Sequence, residues 1–502
     1  MPTIVTRASK GSPLTWTEAD NNFKNLNFST SISVKDSTYG AKGDGITDDT
    51  AAIQAAIDSL GAGGGIVSCT GKLYIASNLY VKPSVFLVGS FDMPGKPTVG
   101  SGTTTDYALI TSSIRLASTA TIYLQGGAGL RSLLIYRYGM TFPAPNPNSF
   151  AGTAVTSTGD DTSIMKCMIM GFNKAVLSSG CARIRIDYLY HDNINGIEIT
   201  NCDDVPHLTN CHAWPWSTIA SLGLHTTIER TGIAYHLHDF VDWAKVTDCF
   251  CYGYATGFKV DNANSTTFSC CGADNTINVV PLNTGSVGFS LVNTCHETKF
   301  IGCQAAAQDL AGIVINVTAG RSTFISQQTI WGGNSHGILV QSGDVVVTGG
   351  QVRDVASGVT VTNATSNIFL NGLTFTDIVT LPITAQVSTE RMYLNNCFFT
   401  NFTGNPMSLN VTSTSIASAA TVILPNNGDT FIITGTTSFG TLGYGWLGRE
   451  VMLLFTGVLT VFNGTGSVTN IRLLGGANLP TGAGTVLMLR HNGIQWYETG
   501  RI

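Results

Sequence analysis

The run GIEIT at 196–200 returns along the chain as GIAYH (232–236), GFKVD (257–261), GFSLV (288–292), GIVIN (312–316), GILVQ (337–341) and GVTVT (358–362). Each copy reads glycine, apolar, any residue, apolar, then a polar residue in most copies. Such alternation belongs to a strand with one buried face. The glycines follow one another at steps of 36, 25, 31, 24, 25 and 21 residues. A second strand-like run stands before or between the copies: HLTNCHAW (207–214), AKVTDCFCY (244–252), TKFIGCQAA (298–306), STFISQQTIW (322–331) and VVVTGGQV (345–352). Short strands in units of roughly 20–30 residues, with loops of varying length, predict a β-solenoid whose rungs stack about 4.8 Å apart. Parallel crossovers are right-handed, so the expected fold class is all-β, a right-handed parallel β-helix. The LxxLxL pattern of leucine-rich repeats is absent, and the steps are too short for propeller blades.

Composition agrees. The chain has 502 residues, of which 11% are charged and 56 are glycine. That suits many short strands and turns. The net charge of −5, without a Lys/Arg cluster, argues against a nucleic-acid partner. No run of about 18 apolar residues occurs, so no membrane insertion is expected. MPTIVTRASKGSP at the start lacks the apolar stretch of a signal peptide. The 12 cysteines lie mostly in strand-like runs and read as reduced, buried thiols. No Cys/His spacing suggests a metal site, and no cofactor is expected.

Outside the repeats, DDTAAIQAAIDSLGAGGG (48–65) reads as a helix. Asp48 or Asp49 caps it, Ile53, Ile57 and Leu60 share one face, and Gly61 ends it. A second short helix is expected over 17–26. Beyond about residue 405, turns at NNGD, NGTG and HNG predict hairpins, hence a separate antiparallel, sandwich-like β domain. The expected organisation is a segment at 1–30, a β-helix cap at 31–110, rungs over 111–404 and the β domain at 405–502.

Two segments resemble known families. SVKDSTYGAKGDGITDDTAAIQAAIDSLGAGGGIV (33–67) resembles the opening of the pectate lyase-like superfamily, where a strand, a GDG turn and a helix cap a parallel β-helix. TRASKGSPLTWTEADNNFKNLN (6–27) resembles the N-terminal peptide of phage tail fibres and tailspikes, linked to virion attachment. PHLTNCHAWPW and HLHDFVDWAKVTDCFCYGYATGF look like phage capsule depolymerases. The resemblance implies a homotrimeric tailspike on the virion. It would bind tail or baseplate proteins through its N-terminus and act on a bacterial capsular or O-antigen polysaccharide. Reaction type is not implied, since hydrolases, lyases and esterases share the scaffold.

Aligning the second strands sets Asn210, Asp248, Gly302 and Gln327 at equivalent points. Four positions on stand Trp214, Tyr252, Ala306 and Trp331, an outward aromatic column suited to sugar rings or to a subunit interface. The same alignment run backwards stacks Asp204, Asp242, His296 and Arg321, with Trp243 and Glu297 beside them. Two carboxylates on neighbouring rungs are what glycoside hydrolysis needs: one protonates the leaving oxygen, the other attacks or activates water. The candidate acids are therefore Asp242, Asp204, Asp239 and Glu297. Candidate sugar contacts are Trp214, Trp243, Tyr252, His212, His238, Arg230 and His296. Turn chemistry is the competing use of such acids. Seven of the nine histidines fall within 191–296, and His236 and His238 share one strand face. A polysaccharide lyase would instead draw on His238, Tyr252, Lys259 and Arg230. A non-enzymatic receptor-binding spike is the third reading. No GxSxG elbow supports an esterase.

Overall fold

A computed structural model describes residues 10–18, 31–71, 73–90, 112–140, 144, 146–217, 228–277, 280–281, 283–320, 322–333, 335–386, 391–402, 406–409, 415–425, 429–464 and 470–502. The fold is a right-handed parallel β-helix. The chain divides into two compact units, Met1–Ser290 with Cys303–Asp309, and Leu291–Gly302 with Leu310–Ile502.

In the first unit one parallel ladder joins Leu79–Val81, Ile122–Leu124, Thr153–Ser157, Lys174–Ser179, Asn195–Cys202, Arg230–Asp242 and Tyr254–Asn264. A second sheet carries two short strands per coil. His207–Thr209 and His212–Ala213 are followed rung by rung by Lys245–Thr247 with Phe250–Tyr252, then Thr267–Ser269 with Gly272–Asp274. Between the two short strands sits one left-handed residue: Asn210 (φ 54°), Asp248 (φ 52°) and Cys270 (φ 54°). Asn and Asp tolerate that conformation, which explains their recurrence at the corner. Parallel pairing already runs through Ser31–Ser33, Gly65–Ser68 and Val85–Val88, within the segment expected to cap.

The repeat glycine has a steric cause. A Cβ on Gly196 would lie 2.1 Å from the carbonyl oxygen of Ala234, the equivalent residue one rung on, and one on Gly257 would lie 2.6 Å from that of Gly288. Tyr235 pairs with Ile197, so Ala234, not Gly232, occupies the repeat-glycine place in its rung. Inside, Tyr235, Phe258 and Phe289 stack at 4.6 and 4.8 Å. On four successive rungs the residue after the corner is a buried cysteine: Cys211, Cys249, Cys271 and Cys303. None of the 12 cysteines is in a disulfide; Cys270, at a corner, is exposed.

The helix spans Thr50–Ser59 with Asp49 at its N-cap position. The Asp49 carboxylate does not cap; it turns back to accept from the Lys42 and Gly43 amides at 2.6 and 2.9 Å. Asp48 instead accepts from Thr50 N at 2.9 Å. The helix ends as Leu60 turns extended, one residue before Gly61. The helix expected over 17–26 lies, beyond residue 18, outside the described residues. No helix among the described residues is long and apolar enough to cross a membrane.

In the second unit the strands Ala311–Gly320, His336–Ser342, Ser357–Val361, Leu381–Ala385 and Met407–Leu409 pair in parallel. Beyond them a six-stranded sheet runs Ser415–Ala417, Thr430–Thr434, Glu450–Phe455, Val486–His491, Trp496–Arg501, Ile471–Arg472. The first two pairings and the last are parallel, while the middle two are antiparallel. The terminal module is therefore mixed rather than antiparallel throughout. The HNG hairpin forms between Val486–His491 and Trp496–Arg501. The strands flanking NNGD take parallel partners instead of each other, and Thr460–Val461, before NGTG, pairs antiparallel with Leu479–Pro480. The core of the module includes Phe431, Phe439, Phe455, Leu487 and Trp496.

Candidate functional site

The ladder in the first unit brings its chemistry together on one outward face. Glu198 pairs with His236 and His236 with Lys259; Thr200 pairs with His238 and His238 with Asp261. Their alternate neighbours Ile197, Ile199, Tyr235, Leu237, Phe258 and Val260 are buried. With a side-chain period of two, the polar set must face out.

Lys174 Nζ lies 2.6 Å from Glu198 Oε2. Glu198 Oε1 lies 3.4 Å from His238 Nε2. His238 Nδ1 donates to Asp239 Oδ2 at 2.8 Å, which fixes its tautomer. The His236 and His238 rings stack with centroids 4.2 Å apart, and Lys259 Nζ lies 3.4 Å from Asp261 Oδ2. Burial, helped by His238 and Lys259, pulls His236 down to about 4, so it is neutral near pH 7. Burial acts to raise the Glu198 carboxyl, but Lys174 and His238 outweigh it and hold Glu198 below its ordinary value.

A β-bulge closes this strand. Thr200 pairs with His238 but Cys202 with Val241, so one extra residue is accommodated. Asp239 (φ 50°) and Phe240 (φ 72°) are both left-handed there, as is Trp243 (φ 56°). Bulges re-aim side chains, and bulky left-handed residues concentrate at functional sites. Phe240 and Trp243 are 58% and 56% exposed, and Lys245 Nζ stands 5.5 Å from the Trp243 ring centroid. The six residues HDFVDW (238–243) thus hold a histidine, two carboxylates and two exposed aromatic rings.

Several expected site residues have other roles. The ladder ends at Cys202 and Val241, and pairing resumes at His207 and Lys245 with the offset that stacks Asp204 on Asp242. Asp204 is bound by Arg183 at 2.8 Å, which Asp161 also holds at 2.7 Å. Arg230 is only 1% exposed and forms a buried pair with Asp192, its Nε 2.9 Å from Oδ1. It is structural rather than a sugar contact. Trp214 and Tyr252 do follow one another on successive rungs, 6.4 Å apart. Trp214, however, packs with Trp216 and Tyr190 against Leu134, Tyr136, Met168 and Met170. Asp274, on a rung absent from the sequence alignment, stands between Tyr252 and Ala306. Burial and then the Asp274 charge push Tyr252 up to about 12. His212 lies against Tyr190, Trp216 and Phe250 and burial pulls it down to about 4. His296 and Glu297 belong to the second unit. The lyase set is dispersed: His238 and Lys259 share the ladder, Tyr252 is on the other sheet and Arg230 is buried.

Glu198, Phe240 and Lys174 are site residues that sequence reasoning misses. Glu198 is readable as the outward third residue of GIEIT, but its proximity to two histidines depends on rung pairing.

Residues 31–307 match the family described as rhamnogalacturonase A/epimerase, pectate lyase-like. The match covers more than half of the chain, which belongs to this family. No curated protein matches it. Among solved structures, a double mutant of the tailspike protein of E. coli bacteriophage HK620 is 11% identical, covering 93% of this chain and 85% of that one at TM-score 0.48. The catalytic domain of a GH87 α-1,3-glucanase in complex with nigerose is 10% identical, covering 76% and 68% at TM-score 0.45. The A-module of the Azotobacter vinelandii mannuronan C-5 epimerase is 16% identical, covering 75% and 99% at TM-score 0.34.

Proposed function

We propose that the chain is a polysaccharide depolymerase that hydrolyses glycosidic bonds of a bacterial capsule or O-antigen, working as the trimeric tailspike of a phage. The observation that carries this is the 238–243 stretch. Asp239 lies in a bulge and Asp242 just beyond it, with Phe240 and Trp243 open beside them on a scaffold of a carbohydrate-processing family. The rings offer flat apolar faces to pyranose C–H groups. The two carboxyls divide the work of protonating the leaving oxygen and of attack or water activation. Dispersal of the lyase set favours hydrolysis over elimination. The N-terminal peptide resembling those of tail fibres supports the virion role.

Incubation with purified capsule and O-antigen, followed by mass spectrometry and a reducing-end assay, tests the reading. Saturated oligosaccharides are expected, with Asp242→Asn and Asp239→Asn each slowed about 10²–10⁴-fold. Products absorbing as unsaturated uronates would establish elimination instead. Binding without new reducing ends would leave a non-enzymatic spike.

A further inference from the structure

We propose that Glu198, His236 and His238 form a site for a divalent transition-metal ion of the zinc type. Two nitrogens and one carboxylate oxygen are a donor set that zinc accepts with a fourth position left for water or substrate. The backbone supplies the arrangement. His236 and His238 are alternate residues of one strand, so both face outward, and Glu198 is the register partner of His236 on the next rung. The donor atoms of the three lie within 4.8 Å of one another. The 3.4 Å between Glu198 Oε1 and His238 Nε2 is close to the edge of a tetrahedron with bonds of about 2.0–2.1 Å.

His236 Nε2 is buried with no hydrogen-bond partner among the described residues, a costly state that a bound ion would relieve, and buried His238 Nε2 faces Glu198 Oε1 at 3.4 Å. Asp239, holding His238 Nδ1 at 2.8 Å, is the outer carboxylate that orients a ligating imidazole and raises its basicity. Lys174 occupies Glu198 Oε2 and leaves Oε1 for the ion; the Lys259 ammonium lies near Asp261. A donor set with two imidazoles selects zinc, cobalt, nickel or copper over calcium and magnesium. A water on the ion would have its pKa lowered to about 7, on the strand that carries Asp239 and Asp242.

The inference is independent of the depolymerase reading, since its test uses no polysaccharide. The untagged full chain, stripped with chelator, is titrated with Zn2+ by calorimetry and with Co2+ by visible absorption. One ion per chain is expected, with the intense bands of four-coordinate cobalt and no response to Ca2+ or Mg2+. His236→Ala and His238→Ala should each abolish the bands. Glu198→Gln should weaken binding at least about tenfold, and His207→Asn, on the other sheet, should change nothing. Absence of binding, octahedral cobalt bands, or binding that survives both histidine variants would overturn the site. Should those variants misfold by circular dichroism, the wild-type cobalt spectrum alone decides.

Discussion

Arg230 shows how residue identity can mislead without its surroundings. In sequence it is a cation next to candidate acids. In the fold, Asp192 takes its guanidinium and also accepts from Ser217 N and Oγ at 2.6 and 2.5 Å, all out of water. Removing one partner of a buried pair strands the other charge, so Arg230→Ala should cost about 3–5 kcal/mol, read as a lower denaturant midpoint. His191 behaves differently. It is fully buried between Tyr235 and Tyr254, and burial lowers it from 6.5 to about 3. The fold thus favours the neutral ring. Its contribution is complete above 6.5 and is lost as pH falls from 6.5 towards 3, with a slope of up to about 1.4 kcal/mol per pH unit. His191→Leu should flatten the acid side of the stability profile; an unchanged slope would show that other groups set it. Neither environment is legible in the sequence, because both depend on which side chains meet across rungs.

At the scale of elements, the alternation in GIEIT, GFKVD and GILVQ is legible because inward positions must be apolar in every coil. Coil lengths are less so. The rung TFSCCGAD (267–274) escapes the repeat pattern, since its corner is Cys270 where Asn210 and Asp248 stand in its neighbours. The bulge leaves no local signature: HDFVDW scans as plain strand, and only pairing with 200–202 exposes the extra residue. The repeat glycine gives an element-level test. Gly196→Ala would drive a methyl to within 2.1 Å of the Ala234 carbonyl oxygen and 2.3 Å of the His191 ring. It should cost about 1–3 kcal/mol or more. Gly61→Ala, whose Cβ meets nothing within 4 Å, should be neutral or stabilising by about 0.4–1 kcal/mol. Similar losses at both positions would show that crowding between rungs is not why the glycine recurs.

Across the whole molecule, low charge and abundant glycine and Thr/Val-type residues announce stacked short strands, and the family match over 31–307 agrees. The terminal module is harder to read, because hairpin turns say nothing of the parallel partners that complete its sheet. The cysteines are thiols that pack as small apolar groups, as their strand-like settings imply. Burial pushes Cys167 up to about 12 and raises Cys249 and Cys251 well above the ordinary thiol range. Unfolding temperatures with and without dithiothreitol should therefore coincide; a fall on reduction would reveal a cross-link.

Cys270 follows from the same corner geometry, yet its thiol is open to water. Being exposed while most of the other thiols lie in the core, it should be the first to capture a maleimide dye or nitroxide under native conditions. The wild-type sequence thus brings its own attachment point for fluorescence or spin-label work, on the opposite sheet from HDFVDW, and no engineered cysteine is required.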